Sequence, residues 1–204
     1  MIVLDVEQGT PEWLQARIGI PTASMFKNII TATGLASKGD GYRKQLVSEW
    51  LIGQPDPDGF AGNYWTDRGT RLEPEARAMY CFLKDVEVQQ VGLCYKDAMR
   101  QFSGSPDGLV GEDGGWECKC PKLVTHMEYL MAGVFPKEYK PQVQGNLWIT
   151  GRKWWDFMSY HPLTEPLIVR VERDEAYIDL METFMKSFLS DLNFMKKKVE
   201  KFKL

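Results

Sequence analysis

The chain has 204 residues, of which 44% are hydrophobic and 26% charged, and its net charge is −3. That length suits a single domain with a sizeable core that needs neither disulfides nor a structural metal. The acidic balance argues against a protein that coats nucleic acid nonspecifically, because phosphate binding leaves a basic footprint; it is compatible with one local basic channel in which metal ions neutralise a polyanion.

In chain order, Met1 to Glu7 lacks a basic leader and meets acids early, so a signal peptide is not expected. Thr10-Pro11-Glu12-Trp13 reads as a helix start, with Thr as N-cap and Pro at the first position. That helix should run to about Arg17 and stop at Gly19. A second is expected from Pro21-Thr22 to about Ile30, and a third from about Tyr42 to Ile52. Gln54 to Asn63 is turn-rich. Trp65 to Leu83 should be mainly helical, with Pro74 starting, kinking or breaking part of it. Val86 to Tyr95 reads as a strand, and Gly104 to Cys120 as a β-hairpin. Leu123 to Gly133 and Lys140 to Ile149 look helical. Trp154 to Tyr160 and Pro166 to Glu172 are aromatic and β-branched strands. Asp174 caps a long last helix with an apolar stripe of Tyr177, Leu180, Met181, Phe184, Phe188, Leu192 and Met195. The lysine-rich end, Lys196 to Lys198 with Lys201 and Lys203, reads as a solvated helix end. This order indicates α+β or mixed α/β architecture in one domain. No apolar run approaches the ~18–20 residues that span a bilayer.

Four cysteines, Cys81, Cys94, Cys118 and Cys120, are expected to be free thiols. Zinc would need well-spaced partners, yet the chain offers only His126 and His161, and Cys118 and Cys120 are separated by a single residue. Nothing points to secretion, so a cytoplasmic setting is expected.

The hairpin carries the chemistry. A turn centred near Glu112–Asp113 places Asp107 opposite residues near Glu117 to Lys119. Alternation then puts Glu117 and Lys119 on one face and turns Trp116, Cys118 and Cys120 to the core. Paired carboxylates take hard cations such as Mg²⁺, which polarise a phosphodiester and lower the pKa of bound water. A lysine beside them can orient or deprotonate that water. The plain alternative is a surface salt bridge worth under about 1 kcal/mol.

Pro106-Asp107 followed by Glu117-Cys118-Lys119 is the Pro-Asp…(Asp/Glu)-x-Lys signature of a large nuclease superfamily. Glu7-Gln8-Gly9, Trp13, Arg17, Gly19, Thr22-Ala23-Ser24, Ser105-Pro106-Asp107-Gly108, Glu117 to Pro121, Gln142-Val143-Gln144 and Glu172 to Glu175 resemble the phage lambda-type 5′→3′ alkaline exonucleases of viral recombination. The resemblance implies a restriction-endonuclease-like α/β core, a mixed sheet flanked by helices. It implies Asp107, Glu117 and the main-chain carbonyl of Cys118 as metal ligands, with Lys119 the catalytic lysine. Glu73 would orient metal-bound water and Gln144 would hold the lysine. Arg17, Ser24 and Ser105 match positions that bind a 5′-terminal phosphate, and a serine in a helix's first turn suits an anion. Taken without the family, Glu73 is a solvated helical acid, Gln144 a helix-surface amide, Arg17 a helix-end charge and Ser24 a routine polar residue. Trp13 is either a base-stacking platform or core packing. The chain departs from the lambda prototype at Thr125, where that family member carries an arginine.

The implied activity is digestion of one strand of duplex DNA from a 5′-phosphorylated end to mononucleotides, leaving 3′ overhangs. Its cofactor would be Mg²⁺, with Mn²⁺ as substitute and two ions per site. A homotrimer, a single-strand annealing partner and no membrane association are also implied. The rival readings are an endonuclease on the same core and an idle DNA-binding or phage structural protein.

Overall fold

The computed structural model describes residues 1–37, 39–56 and 64–203. Part of the turn-rich stretch 54–63 therefore lies outside the described residues. The elements are β1 (Ile2–Leu4), α1 (Pro11–Arg17), a 3-10 turn at Ala23–Asn28, α2 (Asp40–Ile52), α3 (Tyr64–Lys84), β2 (Val88–Gln89), β3 (Leu93–Tyr95) and β4 (Ser103–Gly104). There follow β5 (Gly108–Val110), β6 (Gly114–Lys119), α4 (Leu123–Ala132), α5 (Lys140–Thr150), β7 (Trp154–Ser159), β8 (Leu167–Glu172) and α6 (Glu175–Val199).

Five strands form the central sheet in the order β2-β5-β6-β7-β8, and β1-β3-β4 make a smaller one. Only β6 and β7 run parallel within the central sheet; the other pairings are antiparallel. Parallel neighbours need a crossover, and α4 and α5 supply it. One sheet face, with Leu109 and Trp155, packs into a core built with α2, α5 and α6. The opposite face, with Val110, Trp116, Cys118 and Met158, packs against Ala76 and Tyr80 of α3. The expected mixed sheet flanked by helices is the fold observed.

Local signals decided most elements. Thr10 caps α1 by accepting from Trp13 N–H, and Asp174 caps α6 by accepting from Tyr177 N–H. Pro74 lies on the exposed face of α3, and the helix runs through it.

Four expectations need correction. The helix expected from Pro21 to Ile30 is only the 3-10 turn, because Ser103 N–H donates to Pro21 O at 3.0 Å and Thr22 bridges to Ser103, holding both residues extended. The strand expected from Val86 to Tyr95 splits between the two sheets. It breaks at Gly92, where an added Cβ would sit 1.8 Å from Val6 O. The apolar stripe of α6 is rotated: Ile178 and Met185 are buried while Leu180 is 41% exposed. Lys196, expected in water, donates to Gly19 O at 3.0 Å and lies over the Trp50 ring.

Gly114 and Gly115 open β6 directly against two tryptophans. An added Cβ would stand 2.1 Å from the Trp154 ring and 2.3 Å from the fully buried Trp155 ring. Gly115→Ala should therefore cost about 1–3 kcal/mol through overpacking. Urea denaturation checks this; an unchanged midpoint would show that Trp155 can yield.

Candidate active site

The turn at residues 111–113 sets the register Gly108↔Trp116, Leu109↔Gly115 and Val110↔Gly114. Arg152 ties it down by donating to the carbonyls of Gly111 and Gly114 at 2.8 and 2.7 Å. Asp107 and Glu117 consequently occupy the next positions beyond the Gly108↔Trp116 pair. Asp107 Oδ2 accepts from Cys118 N–H at 2.7 Å, so the acid is pinned to the opposite strand. Gln8 steadies the approach to it, donating to Val91 O and Pro106 O at 2.9 Å each.

Glu117 is 1% exposed and points toward α5. Lys119 Nζ lies 2.5 Å from its Oε1, Gln142 Nε2 donates to the same oxygen, and Asn146 Nδ2 donates to Oε2 at 3.2 Å. One carboxylate is thus held by an ammonium and two amides. Such a buried charge is tolerated only when paired and hydrogen-bonded.

Negative charge is in excess here. Burial first, then the charge of Glu117, pushes the Asp107 carboxyl well above the ordinary carboxylate range, with Lys119 opposing. Glu73, on α3, is raised by burial, with Arg77 opposing and Glu117 adding to the rise. For Lys119, burial works to lower the pKa, but Glu117 and Asp107 outweigh it and the ammonium is stabilised. Asp107, Glu73 and Arg77 also line a cleft of about 500 Å³ with Gln8, Thr70 and Gln90. The structure thus brings Asp107, Glu117, Lys119 and Glu73 into one electrostatic cluster.

Does this donor set fit a divalent cation? Among the described residues no group of three or more His, Cys, Asp and Glu side chains forms a cage able to hold a metal. Mg²⁺ does not require one. It binds through one or two carboxylates and completes its octahedron with water, main-chain oxygen and phosphate. Carboxyls raised by burial beside like charge are the groups a cation relieves. Asp107 is such a group, and the Glu117 carboxylate and the adjacent Cys118 carbonyl are further oxygen donors beside it.

A second cluster lies nearby. The Arg17 guanidinium stacks on the Trp13 ring at 3.8 Å and donates to Thr22 Oγ1 at 3.3 Å. Thr22 Oγ1 lies 3.2 Å from Ser24 Oγ. Trp13 Nε1 donates to Ser105 Oγ at 3.0 Å and to Gly92 O at 3.1 Å. Arg17, Ser24 and Ser105 are therefore gathered around Trp13 and Thr22. Burial lowers the Arg17 pKa, and its Nε is a buried donor with no partner among the described residues. Trp13 offers its face to Arg17 and its N–H to Ser105. Ser24 sits in the short 3-10 turn and is exposed, so its link to the cluster is Thr22 and not a helix terminus.

Gln144 needs correction. It is 1% exposed, donates to Glu172 O at 2.9 Å and accepts from Asp174 N–H at 3.0 Å, joining α5 to the start of α6. Residues two apart on a helix point about 200° apart, so only one of the two glutamines can face the site. Gln142 is the one that does. Gln142, Asn146 and Thr22 were the residues missed; the Gln-x-Gln-x-Asn spacing on one helix held the signal for two of them, since Gln142 and Asn146 are one turn apart.

Gln142→Ala should lower turnover roughly 10- to 100-fold, as loss of a group orienting a site carboxylate does. Gln144→Ala should instead cost about 1–3 kcal/mol of stability by leaving the part-buried Asp174 N–H and Glu172 C=O without their partner. Initial rates and denaturation midpoints for both variants separate the roles, and the reverse pattern would restore Gln144 to the site.

The fold has relatives. An alkaline exonuclease, LHK-Exo from Laribacter hongkongensis, superposes with TM-score 0.85 at 36% identity, covering 94% of this chain and 97% of that one. Its complex with dAMP superposes with TM-score 0.83 at 36% identity over 95% and 100% of the two chains. A phage related exonuclease from Haemophilus somnus 129PT shares the fold alone, with TM-score 0.68 at 16% identity over 88% and 96%. No curated protein sequence matches significantly. The family model for the YqaJ-like viral recombinase domain matches residues 12–153, which hold Asp107, Glu117, Lys119 and the Arg17 cluster. The chain belongs to the YqaJ-like viral recombinase family.

Proposed function

We propose that this chain is a metal-dependent 5′→3′ exonuclease of double-stranded DNA. It degrades one strand from a 5′-phosphorylated end to mononucleotides and leaves 3′ overhangs for strand annealing. The observation that carries this reading is the coupling of two clusters through one short segment. Ser105, at the Arg17 cluster, and Asp107, at the acidic cluster, are two residues apart, so their Cα atoms are at most ~7 Å apart. An under-partnered arginine that grips a terminal phosphate therefore sets the next phosphodiester near Asp107 and Glu117. The relationship to a protein described as an alkaline exonuclease supports the reaction class.

Asp107, Glu117 and the Cys118 carbonyl would hold Mg²⁺, or Mn²⁺ in its place, two ions serving one site. The bound ions supply polarisation of the phosphodiester and a lowered pKa for the attacking water. Lys119 then acts as the proton carrier. Cationic charge held by Glu117 and Asp107 would weaken the attraction that keeps its ammonium protonated, so Lys119 would release that proton to solvent and, as the neutral amine, could accept one from the attacking water. Glu73, held by Arg77 at 3.8 Å, orients that water from α3. Gln142 and Asn146 keep Glu117 from following Lys119. A homotrimeric ring and a single-strand annealing partner complete the proposal, and they rest on the family resemblance.

Chelation should abolish digestion, and Mg²⁺ or Mn²⁺ should restore it. Because burial and Glu117 raise the Asp107 pKa, protons compete with metal there: the acid limb of the rate profile should move to lower pH as Mg²⁺ is raised. An acid limb independent of Mg²⁺ would remove Asp107 from the ligand set.

Duplex with a 5′-phosphate should be digested faster than the same duplex with a 5′-hydroxyl, and Arg17→Ala should shrink that ratio by about 10- to 100-fold. A covalently closed circle should be spared; cutting it would favour the endonuclease reading. A preference that persists in Arg17→Ala would assign the phosphate to another residue.

Light scattering should give about three times the chain mass of 23.5 kDa. A monomer at working concentration would remove the ring.

A further inference from the structure

Cys118 and Cys120 flank Lys119, the one on β6 and the other just beyond its end. Two residues apart on an extended chain, they project to one face, opposite Lys119 and Glu117. Their sulfurs lie 3.8 Å apart. Both are free thiols, Cys118 buried and Cys120 partly exposed. They lie in the core between the sheet and α3, beside Trp116 and Tyr160. Arg68 anchors the chain just beyond by donating to Cys120 O and Pro121 O at 2.6 and 2.8 Å. The catalytic lysine therefore sits between two sulfurs near contact, in a strand fixed on both sides.

We propose that Cys118 and Cys120 form a redox modification site, at which a peroxide closes a disulfide that disables the catalytic strand. The Cys120 sulfur first attacks one peroxide oxygen and the O–O bond breaks, giving a sulfenic acid and one water. The Cys118 thiol then attacks that sulfur, the S–S bond forms, and a second water leaves. The dithiol loses two electrons and two protons, and one hydrogen peroxide becomes two waters. Cys120 reacts first because it is the exposed member of the pair.

The geometry says why the bond matters. A disulfide needs sulfurs at ~2.05 Å and Cβ atoms ~3.5–4.5 Å apart. In an extended strand, Cα atoms two residues apart are separated by ~6.6 Å. That is longer than the ~5.5–6 Å usual for a bridged pair. Closure must therefore draw the chain together at Lys119. The contacts that stand in the way are Cys118 N–H to Asp107 Oδ2 at 2.7 Å, Tyr160 N–H to Lys119 O at 2.8 Å, and Lys119 to Glu117. Oxidation thus acts on the site without touching a carboxylate. The strain it stores favours reduction, so a dithiol reverses it. The loss of activity rests on the nuclease reading above; formation of the bond does not.

The test treats reduced full-length protein with hydrogen peroxide, then blocks free thiols, digests and weighs the peptides, with the nuclease rate measured in parallel. The expected result is a protein lighter by two hydrogens, a Cys118–Cys120 link with Cys81 and Cys94 still free, and a rate reduced at least about tenfold and restored by dithiothreitol. Cys120→Ala should keep its rate in reductant and lose this reversible sensitivity. The proposal is overturned if Cys118 and Cys120 both remain open to alkylation. It is overturned equally if the bond forms with no change in rate, or if Cys120→Ala is inactivated as the parent is. The mass is read whether or not the chain cuts DNA, so failure of the nuclease reading and failure of the thiol bond are distinguishable.

Discussion

The hydrogen bond from Cys118 N–H to Asp107 Oδ2 ties the rest of the site together. It joins the chain entering the hairpin to the strand leaving it, and it exists only in one register. A slip of one residue would turn Glu117 and Lys119 to the α3 side and bring Trp116 and Cys118 out of their core. Packing and chemistry therefore enforce each other. The fully buried Trp116 ring selects the register, and the register delivers two acids and a lysine to one end of the strand.

The opposite wall comes from the crossover. Because β6 and β7 are parallel, the chain must travel back along the sheet between them, and α5 lies on the face that Glu117 occupies. Gln142 and Asn146 reach Glu117 from that helix, whereas Gln144, between them in sequence, turns away to bind Glu172 and Asp174. One helix thus braces the site with two residues and the fold with a third.

The acidic net charge and a DNA substrate are reconciled locally. Arg17 is withdrawn from water against Trp13, and its buried Nε has no partner among the described residues. A desolvated guanidinium interacts with phosphate more strongly than a surface lysine does, so under the proposed function a few placed cations would serve in place of a basic coat. The C-terminal lysines are not that coat throughout, since Lys196 is spent on Gly19 O.

Much was legible in the chain. Caps at Thr10 and Asp174, the hairpin turn near Glu112–Asp113 and strand alternation indicated the element types and placed Asp107, Glu117 and Lys119 together, because those rules are local. The choice between Gln142 and Gln144 was not legible: both lie on the same helix, and its rotation is set by neighbours distant in sequence. The same holds for Thr22, held extended by β4, for the break at Gly92 against Val6, and for the rotated stripe of α6. By itself the sequence determined which residues could do chemistry and which strand carries them. Only the tertiary structure decided which amides brace Glu117 and how Arg17 meets Ser105, because those contacts join segments whose separation in the chain leaves no local trace of their meeting.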